Sequence, residues 1–485
     1  MSGGVQRIDF RANVLRVPPT MGASVRKATS KFLGTRATVV DALGGDQWEA
    51  LRQAGHDLRL HALMHLDYYL EKLEAQVVGA GGVVHWAADA AEARQIVLGL
   101  AQERGVKTVV KSKSMITEEI GLNHALEGVG IRPVETDLGE FIIQMAGVGP
   151  SHLIAPAVHL TKEAIAELFH AKLGVEVPPD PTAITEIARQ RLRREFLNAE
   201  MGVSGANFLV AETGTLVILT NEGNGRMSTT LPPLHVAVAT IDKVVPDWDT
   251  LTVLLKLLAR SGTGQKMTCY TSFITGPRRS DGEGGPSEFH LVLLDNGRSR
   301  ILRDEIGREV LLCIRCGACA NICPVYNTVG GHAYGWVYNG PIGAMLTTQL
   351  LGTAMAADLP FTSSLCGACA DICPVKIPIP DILLHLRRRA VEGDEQSAPA
   401  APWVVRAGAG AAVWALGVPW VYKSGSVALR ALGAPLRRGD WIPSLPPPLS
   451  RWTMVRPFPA FRAQFRSWWR GRGAGQPRGG SEVRS

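Results

Sequence analysis

The chain has 485 residues, 46% of them hydrophobic and 20% charged, with a mean hydropathy of +0.07. That length gives room for two or three domains, and the composition is that of a soluble globular protein. The net charge of +7 is concentrated, because residues 401–485 hold 13 Lys and Arg against 2 acidic residues. Taking that excess of 11 away leaves the rest at −4, so the slightly acidic main body argues against a nucleic-acid binder.

Residues 1–60 read as a polar, partly basic lead-in. Arg7, Arg11 and Arg16 are spaced through polar residues with no apolar run behind them, so no secretory signal is expected and a cytoplasmic location is. Residues 61–77 carry apolar positions three and four apart, the period of a helix. From about 81 to 275, strand-like apolar runs alternate with amphipathic stretches. Residues 106–110, 208–211, 215–219, 235–240 and 290–294 read as strands, and 116–128 as a helix. This is an α/β pattern with a mainly parallel sheet. Residues 277–286 read as an exposed loop. Helices are expected over 301–312, 343–357 and 380–391, around and between cysteine motifs, and residues 393–402 read as a linker. The division expected is 1–60, 61–298, 299–392 and 393–485.

Seven of the eight cysteines lie between 313 and 373, too crowded for a disulfide framework and better suited to a metal site. Residues 316–325 read CGACANICPV and residues 366–375 read CGACADICPV, a repeat at an offset of 50. The first copy in full is Cys313-x2-Cys316-x2-Cys319-x3-Cys323-Pro324, the run with which bacterial ferredoxins bind 4Fe–4S clusters. Three thiolates at that spacing wrap one face of a cubane, and the fourth cysteine serves the other cluster. Cys313, Cys316, Cys319 and Cys373 are therefore assigned to a first cluster, and Cys323, Cys366 and Cys369 to a second. The fourth ligand of the second cluster is expected at 363, which is serine. An oxygen ligand from Ser363, a 4Fe–4S cluster completed by another group or water, and a 3Fe–4S cluster all remain open. Zinc fits poorly, since it takes cysteine pairs or mixed Cys/His sets.

Further stretches look familiar. They are KSKSMITEEIGLNHALE (111–127), VETDLGEFIIQ (134–144), HLIAPAVHLTKEAIAELF (152–169), MGVSGANFLVAETGTLVILTNEGNGRM (201–227) and YGWVYNGPIGAMLT (334–347). With the cysteine repeat they resemble the lactate utilisation protein B family over roughly residues 20 to 390. The resemblance implies an α/β LUD domain, similar to CoA-transferase and isomerase folds, followed by an α-helical ferredoxin-type two-cluster domain. It also implies a part in oxidising L-lactate to pyruvate, as an electron carrier beside lactate utilisation proteins A and C. The family pattern itself uses seven cysteines, so Ser363 is no departure from it.

In the α/β part, Lys111, Ser112, Lys113 and Ser114 lie between a predicted strand and helix. Free amides and lysines there suit an anion, while Ser114 as a cap with Glu118 and Glu119 at the dipole is the plainer reading. Glu212 is placed as a nucleophile only by fold analogy. Asn221, Glu222, Asn224 and Arg226 form the better candidate for a ligand-facing loop. His152, His159 and His235 read as core or surface histidines, and Cys269 as a buried apolar cysteine.

The tail is rich in Gly, Pro, Arg and Trp. Residues 407–422 lack charge but contain four glycines or prolines, which makes a poor spanning helix. Trp403, Trp414, Trp420, Trp468 and Trp469 near basic residues are compatible with peripheral contact to anionic lipid at the inner face of a membrane, against the alternative of a disordered basic tail. Two rival functions stand beside electron transfer. One makes the LUD domain itself an enzyme, an acyl-CoA transferase or isomerase, with structural clusters. The other is a redox-sensing regulator, for which no nucleic-acid-binding signature exists.

Overall fold

The computed structural model describes residues 7–18, 20–393, 398, 403–447, 450–453 and 457–460. It divides into a unit of residues 1–400 and a unit of residues 401–485.

The first unit is built on ten strands: β1 (Val83–Ala87), β2 (Thr108–Lys111), β3 (Arg132–Glu135), β4 (Met201–Ser204), β5 (Phe208–Val210), β6 (Thr215–Thr220), β7 (Leu234–Thr240), β8 (Val244–Val245), β9 (Tyr270–Ile274) and β10 (Glu288–Leu294). Six form one sheet in the order β1-β10-β7-β4-β2-β3. Every pairing in it is parallel, with Val238 of β7 opposite Val292 of β10 and Val203 of β4 opposite Lys111 of β2. The central strand β7 (LHVAVAT) is buried along its whole length, which is why it carries no polar/apolar alternation. Helices Ala90–Glu103 and Trp248–Gly262 begin at Asp89 and Asp247, each capping backbone amides with its carboxylate.

The mainly parallel sheet expected from the sequence is present, but β5 and β6 are not in it. They join β8 and β9 in a separate four-stranded sheet, where β6 is antiparallel to both β5 and β9. Short apolar runs give the strand but not its partner. The helix expected over 116–128 breaks at Gly121, whose φ of 63° leaves the helical region. The 343–357 helix likewise breaks at Gly352 (φ 81°) into Gly340–Leu351 and Thr353–Ala356.

The polar lead-in forms helices Phe10–Arg16, Met21–Asp41 and Gly45–Met64, the last running on past a break at His65 into Leu66–Gly79. They pack on the cysteine region through small contacts. Thr29 Oγ1 bonds to Asn327 Oδ1 at 2.8 Å, and the Ile8 amide donates to the Met355 carbonyl. Residues 298–392 contain helices and no strand among the described residues. One hydrophobic core joins Val25, Trp48 and Leu63, Leu254 and Leu257 beside the small sheet, and Leu312, Tyr326, Met345 and Leu383 of the cysteine region. The α/β part and the cysteine part are thus welded by apolar burial rather than linked by a tether.

The second unit has helices Trp403–Gly417 and Pro419–Gly433 and the two-stranded pair Trp441–Ile442 with Phe458–Pro459. Its Trp403, Trp414 and Trp420 are exposed. Trp468 and Trp469, and most of the expected linker, lie outside the described residues. No helix among the described residues is long and apolar enough to cross a membrane.

Candidate iron–sulfur sites and the adjoining cavity

Each cysteine copy folds the same way. Cys316 and Cys366 are followed by Gly317 (φ 74°) and Gly367 (φ 86°), which turn the chain into helices Ala318–Ile322 and Ala368–Ile372. Left-handed residues also sit two positions after 313 and 363, at Arg315 (φ 62°) and Leu365 (φ 56°). A side chain is strained there, and such conformations recur at functional loops. Cys323 and Cys373 follow the two helices in extended conformation, which aims each thiol away from its own loop.

The two short helices pack on each other, so the cysteines regroup across the copies. Cys313, Cys316, Cys319 and Cys373 lie close enough for charge on one to oppose charge on the others, and all four line one apolar cavity with Ile314, Ile342, Val375, Ile377 and Ile379. Cys323, Cys366 and Cys369 form a second mutually facing set. Among the described residues no three His, Cys, Asp or Glu side chains converge as on a single metal ion. Backbone amides point at the sulfurs: Arg315 N–H to Cys313 Sγ at 3.3 Å and Ile377 N–H to Cys373 Sγ at 3.4 Å.

Burial pushes the Cys373 thiol up to about 11 and the Cys369 thiol up to about 12, and raises Cys316, Cys319 and Cys323 as well. These five thiols are therefore neutral at pH 7, and loading a cluster must displace their protons. Cys366 differs. It is exposed, and hydrogen bonds from the Ala368 amide and the Ser364 side chain lower its pKa.

A cluster also answers a charge imbalance. Arg59, fully buried, spends its guanidinium on the carbonyls of Leu311, Leu312, Asp242 and Val244 rather than on a carboxylate. Arg315, stacked on Tyr338, and Lys243 share Asp242 at 4.0 Å each. Arg298 takes Glu119 in a bidentate pair and lies 3.7 Å from Asp242. Three arginines thus face two carboxylates beside Cys313, and Lys243 is only a weak fourth cation, because burial and the neighbouring Arg315 lower its pKa to about 7. Buried charge needs a counter-charge, and a thiolate-ligated iron–sulfur cluster is negative. The residues present fit the group.

On the other side of Arg315 lies a cavity of about 240 Å3 between the α/β part and the first cysteine loop. Ile314, Arg315 and Cys316 form one wall; Ser112, Lys113, Asp137, Asn221, Glu222, Asn224 and Lys243 come from strand ends of the α/β part. The loop expected to face a ligand therefore does so at Asn221, Glu222 and Asn224, whereas Arg226 is exposed and does not line the cavity. Lys111 is not available to an anion. Its ammonium is buried against Glu135 at 2.5 Å and Asn123 at 2.6 Å. Ser114 caps the Thr117 amide, and Lys113 donates to the Ile154 carbonyl. Glu119 does not serve a helix dipole but is buried in the Arg298 pair, with Tyr338 donating at 2.5 Å. Glu212 is exposed, accepts from the Trp248 amide and lies away from the cavity.

His152 and His235 are core histidines bonded to Asn321 (2.9 Å) and Ser204 (2.8 Å). His159 meets His332 edge to face, with ring centroids 4.6 Å apart. Cys269 is exposed rather than buried, because it sits in the turn before β9 with its amide held by Asn221. Arg59, Lys243 and Asp242 were not singled out from sequence. Their only signal is tertiary, since Arg59 reaches partners more than 180 positions away.

A LUD domain model matches residues 70–294, and a 4Fe-4S dicluster domain model matches residues 309–377. The chain is 43% identical over 454 residues to lactate utilization protein B of Shouchella clausii (strain KSM-K16), covering 93% of this chain and 94% of that one. It is 44% identical over 452 residues to the protein of the same name from Bacillus thuringiensis (strain Al Hakam), again covering 93% and 94%. A crystal structure of a DUF162 family protein from Deinococcus radiodurans aligns over 47% of this chain and 98% of its own, at 12% identity and a TM-score of 0.28, too low to support a shared fold.

Proposed function

Because this chain belongs to the lactate utilization protein B family, we propose that it acts in lactate utilization as a carrier of single electrons. Cys313, Cys316, Cys319 and Cys373 hold one 4Fe–4S cluster; Cys323, Cys366 and Cys369 hold the other. The observation that carries this reading is the regrouping of seven thiols into sets of four and three, each crossing the repeat. The sets are adjacent by construction. Cys319 and Cys323 lie four residues apart around one short helix, a rise of about 6 Å. Such neighbours suit electron exchange between the two clusters. Donor and acceptor would be partner proteins, for which lactate utilisation proteins A and C are the choices the family suggests.

When bound, the clusters supply one-electron storage. The chain's own part is to hold thiolates, direct amides at them, keep water from the first set and counter its charge with Arg59 and Arg315. Anaerobic reconstitution tests the reading: iron and sulfide near eight each per chain are expected, as about two cubanes require, with reduced-state EPR from two interacting centres. A chain that takes up no iron and shows no thiolate-to-iron absorbance sinks it. At the level of the cell, deletion should abolish growth on L-lactate as sole carbon source.

A further inference from the structure

The second unit exposes what a folded protein normally covers. Helices Trp403–Gly417 and Pro419–Gly433 have 15 residues each, and among the described residues neither buries a side chain. Helices of that length are marginal in water and depend on an apolar face packed against something. Here that face is bare: Trp414 is 62% exposed, Trp420 69% and Leu432 71%. Large exposed apolar surface rimmed by polar groups marks an interaction site.

The charge pattern selects the partner. Residues 401–485 carry 13 Lys and Arg against 2 acidic residues. In Pro419–Gly433 the cations form a stripe, because Lys423 and Arg430 are seven positions apart and share one helix face with Ser426 between them. Trp420 and Val427 are also seven apart, and with Leu429 and Leu432 they make up a broad apolar arc beside that stripe. In the preceding helix Trp403 and Trp414 share a face, and Arg406 is the only charged residue. A wide apolar arc bearing tryptophan beside a narrow basic stripe suits a helix lying in the plane of a bilayer surface. The rings then sit at headgroup level and the cations meet lipid phosphates. Neither helix is long and apolar enough to cross. Protein interfaces are depleted of Lys at their cores, and a second copy would set this positive charge against itself.

We propose that the second unit docks the chain on an anionic lipid surface, with Trp414, Trp420 and Leu432 in the interface and Lys423 and Arg430 against the headgroups. This docking is independent of the electron-carrier reading, since none of its residues touches a cysteine set.

Co-sedimentation of the full chain with vesicles tests it. Saturable binding is expected to vesicles of mixed phosphatidylcholine and phosphatidylglycerol. It should weaken about tenfold or more on phosphatidylcholine alone, and again when salt is raised to about 0.5 M, because screening shortens the reach of surface charge. Trp414→Ser with Trp420→Ser, and separately Lys423→Glu with Arg430→Glu, should each weaken binding about tenfold or more. Tm and iron content should stay unchanged, because exposed side chains carry little of the stability. Brominated lipid should quench tryptophan emission in the unaltered chain and quench it less in the tryptophan variant. No binding to the anionic vesicles at low salt overturns the proposal, as does equal binding to both lipids or binding that both double variants retain. A dimer dissolved by the tryptophan substitutions, with no vesicle binding, overturns it in favour of a second copy as the cover.

Discussion

The first cysteine set and the second come from the same ten-residue motif but occupy opposite environments. The first has four thiols, apolar walls and buried arginines behind it. The second has three thiols and a serine; Cys366 is exposed, as is neighbouring Phe361. The motif fixes the kind of group each site can hold. The surroundings fix how water, charge and reagents reach it, and these set potential and lability.

The largest effect should come from removing a thiol of the first set. Cys319→Ala takes a ligand from the middle of the core, so iron should fall by about half and Tm on the order of 10 °C, because cluster binding is folding energy here. Cys366→Ala should cost the second cluster while leaving Tm nearly unchanged. Equal losses in both would erase the contrast. Next comes chemical removal: under chelator with a mild oxidant, the EPR signal of the second cluster should vanish before that of the first. Simultaneous loss would mean that exposure of Cys366 does not govern access.

A smaller effect concerns potential. Arg36, stacked on Trp48, and Arg52 donate to the carbonyls of Ile372, Ala370 and Cys373 around the first set. Arg36→Gln should lower the first cluster's potential by on the order of tens of millivolts, read by EPR redox titration, while the second stays within error. The smallest effect lies outside both sites. Burial depresses the pKa of His235 to about 3, whereas an unfolded histidine titrates near 6.5. Above pH 6.5 the ring is neutral in both states and its packing contributes in full. As pH falls below 6.5 the unfolded chain takes up a proton the folded one refuses, so stability declines towards pH 3. His235→Gln should lessen the slope of Tm between pH 6.5 and 4 and leave both EPR signals as they were.

Those contrasts show where sequence was enough. Thiol spacing is local chemistry: the CxxCxxCxxxCP run and its near-copy at an offset of 50 were legible as an iron–sulfur pattern, and a 4Fe-4S dicluster domain model matches residues 309–377. The parallel sheet was legible because β7 and β10 are continuous apolar runs. Strand partners were not, so β5 and β6 went to the wrong sheet. The lead-in looked merely polar because its helices bury scattered residues, Met21, Val25, Trp48 and Leu63, against a region some 300 positions away.

By itself, then, the sequence determined the family, the seven thiols and the chemistry they can hold. Only the tertiary structure decided that Arg59 and Lys243 stand beside the first set, that Ser363 Oγ accepts a backbone amide as Cys313 Sγ does, and that Asn224 and Arg315 line one cavity. The physical reason is range. Ligand spacing is fixed by a few consecutive dihedrals, whereas burial, counter-charge and cavity walls come from segments distant in the chain, and nothing in a local pattern encodes which of them meet.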